Sequence, residues 1–242
     1  MLQAMNWTLH FLEAEGSLAA WRDCLTAEAR TVHDRIAEHL APDVAMPPID
    51  VVIQRVKGWG IPELGIGGNT PRRGCMTITL DPDNRHFPVS LEAGAFTRML
   101  AHEFHHCLRV AAIGWAATLA YALVSEGLAD HFDREMNGGD GQIWDHALHA
   151  PQWPWVLRQA EDALPAPGYD HARWFFGEAA GQPDGIPRWA GYTIGYRLVG
   201  AYLDAHPGAR PSRLAATPAS VIMEDAWPRL CEQVGVMPQR PQ

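Results

Sequence analysis

The sequence predicts an α+β fold in which a small N-terminal sheet is followed by long helices. Three observations predict it. Strand-like runs are confined to the part before residue 80, helical apolar spacings fill most of the chain after it, and no proline interrupts the chain between Val89 and Ala150. With 242 residues and 47% hydrophobic side chains there is material for one large core, so a single domain over 1–242 is expected. Within it we distinguish an N-terminal helical segment (1–44), a region of sheet and paired helices (45–136) and a mainly helical C-terminal part (137–242).

The elements follow in order. Leu18, Trp21, Leu25, Val32, Ile36 and Leu40 mark an amphipathic helix that Pro42 and the Pro47-Pro48 pair end. Ile49 to Val56 is rich in β-branched residues and reads as a strand. Lys57 to Gly74 is a glycine-rich connection, read as a hairpin or flap. Its Gly65-Ile66-Gly67-Gly68 lacks the following Gly-Lys-Ser/Thr of a phosphate loop. Cys75 to Leu80 is a second strand, stopped by Asp81-Pro82-Asp83-Asn84. Ser90 is placed to cap a helix whose Phe96, Leu100, Phe104, Cys107 and Ala111 recur at helical intervals. A second helix runs from about Thr118 to Met136 and is closed by Asn137-Gly138-Gly139. A tryptophan-rich, proline-broken region from Ile143 to Trp189, a helix Ala190–Ala205 and a helical tail complete the chain.

Composition excludes several function classes. A net charge of −9 opposes binding to nucleic acid or anionic membrane surfaces, which requires a basic face. The longest apolar run, Val110 to Val124, is about fifteen residues, short of the ~20 that span a bilayer. Met1 to His10 does not read as a secretory leader, so a cytoplasmic protein is expected. Cys24, Cys75, Cys107 and Cys231 show no C-x-x-C spacing, and Cys107 reads as a small core residue.

One motif carries chemistry. His102-Glu103-Phe104-His105-His106 contains H-E-x-x-H inside a helical pattern. Chance supplies that motif about 0.03 times in a chain of this size. Residues four apart on a helix sit on one face, so His102 and His106 can offer imidazole nitrogens to one Zn2+ ion. Glu103, beside them, is placed to take a proton from an attacking water. His105 turns toward the other side of the helix and reads as a packing residue. Nineteen residues after His106 stands Glu126, the candidate third ligand, and Asp130 lies one turn further on the same face. Asp130 is suited to accept the free N–H of a ligand histidine and fix its tautomer.

The pattern H-E-x-x-H, nineteen residues, then E-x-x-x-D resembles the gluzincins. More particularly, His-Glu-Phe-His-His-Cys-Leu-Arg (102–109), Ser-Glu-Gly-Leu-Ala-Asp (125–130), Phe-Phe-Gly (175–177) and Arg-Trp-Ala-Gly-Tyr-Thr-Ile-Gly-Tyr-Arg-Leu-Val (188–199) resemble the bacterial family of predicted Zn-dependent proteases of the YjaZ type. The resemblance covers roughly residues 45 to 230. It implies a zincin-like fold and a zinc metallopeptidase acting on a peptide or protein substrate.

It also frames three further residues and one strand. Gluzincins often stabilise the oxyanion with Tyr or His, and Tyr192 is the first candidate here, ahead of Tyr196 and Arg197. The strand Met76–Leu80 is either the edge strand on which zincins commonly bind extended peptide or an ordinary interior strand. The rival to an enzyme is a non-proteolytic binding protein or stress-related regulator on the same scaffold. An intact general base at Glu103 speaks against it.

Overall fold

The computed structural model describes residues 5–40, 44–164, 166–177 and 185–236. Four strands and seven α-helices are found among them: β1 (Trp7–Leu12), α1 (Arg22–His39), β2 (Ile49–Arg55), β3 (Ile66–Arg72), β4 (Cys75–Leu80), α2 (Phe87–Glu92), α3 (Ala95–Ile113), α4 (Leu119–Asn137), α5 (Trp153–Ala163), α6 (Ala190–Ala205) and α7 (Ala219–Gln233). The architecture is α+β, with a small N-terminal sheet followed by helices. None of the helices is long and apolar enough to cross a membrane. The chain falls into two compact units, one of 1–112 with 135–138 and one of 113–134 with 139–242.

The first unit is built on a four-stranded sheet of order β1-β2-β4-β3. β1, β2 and β4 run parallel, while β3 folds back antiparallel on β4. The register sets Val51 beside Met76 and Ile53 beside Ile78. Strand side chains alternate, so these four share one face, and all are fully buried. Helix α1 buries Leu25, Ala29, Val32, His33 and Ile36, the stripe its apolar spacing demands. Trp7 of β1 ties the layers together, its ring 5.3 Å from His33 of α1 and 5.5 Å from Phe104 of α3. The strip 135–138 closes the unit. Arg35 donates to the Met136 carbonyl (3.1 Å) and to Asn137 Oδ1 (2.6 Å), and Arg98 donates to the Gly138 carbonyl (2.9 Å).

Helices make the second unit. Its core gathers Leu123 and Leu128 of α4, Val156 and Leu157 of α5, Ile194 and Leu198 of α6, and Ile222 and Leu230 of α7. Helix α4 meets α6 at two glycines. A Cβ on Gly127 would lie 2.1 Å from the Gly195 carbonyl oxygen, and one on Gly195 would lie 2.3 Å from the Leu123 oxygen. Only glycine permits backbones this close. Thr193 of α6 donates to the Trp144 carbonyl (2.7 Å) and accepts from the Ala147 N–H (3.1 Å), which holds the 143–146 turn against α6.

Three expectations change and one open alternative is decided. The segment before residue 44 holds not only a helix but β1, whose Trp7 alone is buried while alternate residues face solvent. The glycine-rich connection contains β3, paired to β4 although Gly67, Gly68 and Pro71 weaken its intrinsic strand preference. Ser90 does not cap the long helix: it lies inside α2, and Gly94, at φ 81°, separates α2 from α3. The strand 76–80 is interior, flanked by β2 and β3, and the strands at the sheet's edges are β1 and β3. Thr118 supplies a cap for α4, its Oγ1 accepting the Tyr121 N–H at 3.2 Å. Pro42, expected to end α1, lies outside the described residues.

Candidate metal centre

Helix α3 delivers the histidine pair. His102 and His106 are one turn apart, both buried, with Nε2 atoms 3.1 Å apart and rings at 79°. Two nitrogens each ~2.05 Å from a tetrahedral zinc stand about 3.3 Å from one another, so the pair fits one ion. His102, His106 and Glu126 each offer one ligand atom, and these atoms lie within 4.8 Å of one another. Two imidazoles and a carboxylate form a borderline donor set that zinc favours.

Glu103 is buried beside the pair. Thr70 Oγ1, from β3, lies 2.8 Å from Glu103 Oε2 and 3.0 Å from the Glu103 carbonyl oxygen. A Cβ on Gly68 would come within 2.7 Å of Glu103 Oε1, so the carboxylate occupies space that a side chain would fill. Cys107 sits behind it, its Sγ 3.7 Å from the Cys75 carbonyl. Burial first, then the charges of Glu103 and Cys75, push its thiol up to about 12 against the opposing Thr70 and Cys75 hydrogen bonds. Burial thus keeps the thiol in its neutral, weakly nucleophilic form.

In the second unit, α4 carries Glu126, half-buried, and Asp130, fully buried. Trp144 donates its indole N–H to Asp130 Oδ1 at 3.1 Å. Tyr169 feels the Glu126 charge. Burial, then Glu126 and Tyr121, push its phenol up to about 12. Its hydroxyl is 3.0 Å from His171 Nδ1, and the His171 ring stacks on Phe175 at 4.5 Å. The Tyr192 ring meets the same Phe175 edge-on at 4.9 Å and lies 6.0 Å from Trp144.

Tyr196 is engaged elsewhere. Its ring stacks on His131 at 4.2 Å, and its hydroxyl accepts from Arg134 Nη1 at 3.3 Å and lies 3.4 Å from the Asp140 carbonyl. His131 donates from Nε2 to the Tyr196 carbonyl (2.9 Å), and burial, the largest influence, holds its imidazole below the usual range. Arg197 is exposed, its guanidinium 6.0 Å from the Trp153 ring centroid. His105 is fully buried.

Sequence reasoning gave no role at the site to Thr70, Gly68, Tyr169 or His171. The first two stood in the glycine-rich connection, where no strand period marks which side chains share a face. The others stood in a stretch with no helical or strand period.

Two likenesses to known proteins bear on this geometry. Residues 35–224 match a family described as "Predicted Zn-dependent protease (DUF2268)". The protein named "Uncharacterized protein YjfC" of Bacillus subtilis (strain 168) is 26% identical over 164 residues, which cover 64% of this chain and 50% of that protein. The chain thus matches about half the length of this curated relative.

Proposed function

The chain belongs to the predicted Zn-dependent protease family, and on that premise we propose that it is a zinc metallopeptidase using His102, His106 and Glu126 as ligands and Glu103 as general base. The observation that carries the reading is the grouping of those three ligand atoms within 4.8 Å, with a buried carboxylate on the residue next to His102.

A zinc ion held there supplies a Lewis acid that polarises a carbonyl and brings the pKa of water toward ~7. The protein does the rest. Glu103 takes a proton from the attacking water and passes it to the leaving amine, which frees the carboxylate for the next cycle. Asp130, held by Trp144, orients a ligand histidine. Tyr192 donates to the oxyanion that develops on the scissile carbonyl. Tyr169, kept protonated beside Glu126, is a second phenol suited to that donation. A peptide or protein is the substrate, bound in extended form. The four cysteines are all free, which fits the reducing cytoplasm where we place the protein.

Elemental analysis after exhaustive dialysis tests the ligands. About one zinc per wild-type chain and markedly less in Glu126→Ala is expected, whereas equal zinc in both removes Glu126 from the metal. Glu103→Gln should retain zinc and lose turnover, and cleavage at the wild-type rate ends the general-base assignment.

A further inference from the structure

The edge strand β3 carries an irregularity that lies against Glu103. Asn69 pairs with Thr77 and Arg72 with Cys75, so Thr70 and Pro71 together stand opposite Met76 alone. This is a β-bulge, a device that re-aims side chains and recurs beside active sites. Pro71, with no N–H to give the ladder, is tolerated there.

The bulge changes which side chains face α3. Gly68 and Thr70, two apart, share the face turned toward that helix: a Cβ on Gly68 would strike Glu103, and Thr70 reaches Glu103 directly. In a regular strand Arg72 would come next on that face and set a cation beside Glu103. The extra residue turns it over. Arg72 is exposed and lies 3.8 Å from Asp50. The face presented to the carboxylate is therefore one glycine, which makes room, and one hydroxyl, which holds.

A threonine hydroxyl has one proton to donate. Glu103 Oε2 and the Glu103 carbonyl both lie within reach of it, and the ionised carboxylate is the stronger acceptor. With Oε2 held, the plane of the carboxylate is set. Oε1 lies over Gly68, where any side chain would displace it.

We propose that Thr70 is a positioning residue: its hydroxyl fixes the Glu103 carboxylate in the space left by Gly68, in the orientation from which it accepts a proton. This rests on Glu103 being the general base.

The test compares Thr70→Val, which keeps the shape and loses the hydroxyl, with Thr70→Ser, which does the reverse. Zinc content, kcat and KM on a casein-derived peptide mixture, and calorimetric binding of acetohydroxamic acid to the zinc-loaded proteins are measured. The hydroxamate hydroxyl gives its proton to the general base, so its affinity reads that group without turnover. Thr70→Val should keep its zinc, lose about 10- to 100-fold in kcat at unchanged KM, and bind hydroxamate about tenfold more weakly. Thr70→Ser should restore both. Wild-type kcat and hydroxamate affinity in Thr70→Val overturn the proposal, as does equal impairment of Thr70→Ser, which would make the methyl group the part that matters. If Thr70→Val loses zinc, Thr70→Ala is read by the same split, and loss of zinc there too makes Thr70 structural and overturns the proposal. Glu103→Gln separates the two readings. If it cleaves and binds hydroxamate like wild type, the general-base assignment fails whatever Thr70 does.

Discussion

Gly127→Ala puts one methyl where there is no room for it. The added Cβ would lie 2.1 Å from the Gly195 oxygen, 2.4 Å from the Gly195 carbon and 2.8 Å from Val199 Cγ2. Reaching an ordinary contact of about 3.4 Å from 2.1 Å requires α4 and α6 to separate by about 1.3 Å along that line. The two nearest obstructing atoms are backbone and cannot rotate aside. The cost therefore lies at or above the upper end of the ~1–3 kcal/mol typical of overpacking. Alanine returns ~1 kcal/mol through its better helix propensity, which leaves a net loss of about 2 kcal/mol. For a chain of this size that is a fall in Tm of about 4–8 °C.

Gly200→Ala is the internal control. It lies in the same helix as Gly195, and its added Cβ would meet only His131 Nε2 at 3.4 Å and Cε1 at 3.6 Å, which are ordinary contacts. There the propensity gain stands nearly alone, and Tm should rise by up to about 4 °C. Calorimetry of the three proteins reads both signs. A Gly127→Ala variant that melts at or above wild type refutes the reasoning, as does a pair of shifts in the same direction.

Two further outcomes are expected. An aromatic disulfide reagent at pH 8 should modify one thiol of the folded protein and four after unfolding, because Cys24 alone is exposed while burial pushes Cys107 up to about 12 and Cys231 up to about 11. Prompt reaction at Cys107 would contradict its placement behind Glu103. His131 is held below its usual 6.5, chiefly by burial, so between the two values the unfolded chain binds a proton that the folded chain refuses. Its contribution is whole above pH 6.5 and is lost as the pH falls toward the lowered folded value. Thermal melts from pH 7.5 to 5.5 should show wild type losing ground to His131→Gln, and a constant gap between them would rule this out.

Legibility followed the range of the interaction that fixes each feature. The bounds of β4 and α6 and the histidine pair depend on local periodicity, and each stood where the pattern put it. The glycines of β3 read as a hairpin or flap, and the antiparallel pairing with β4 is that hairpin, but its strand bounds come only from the pairing because two glycines and a proline carry no strand pattern. Ser90 misled because a good capping residue stood five positions before the actual start of α3, at Ala95, while Gly94 made the break. Thr70 is 33 residues from Glu103, and its meaning arises from a bulge that no local pattern announces. Tyr169 gains its meaning from Glu126, 43 residues away, and His171 from Phe175 across a single short turn that too few residues surround to show a period.

The strip 135–138 has a consequence for how the protein is made. A ribosome releases the chain in order, and residues 1–112 emerge well before the four residues that belong with them. Until Gly138 has been added, Arg35 and Arg98 lack the acceptors Met136, Asn137 and Gly138 that they meet in the finished molecule. The first unit is thus completed by a stretch of chain delivered after most of α4. A protein cut at Ala112 for expression in two pieces would leave that strip attached to the wrong half, and the first piece would have to fold with those acceptors missing.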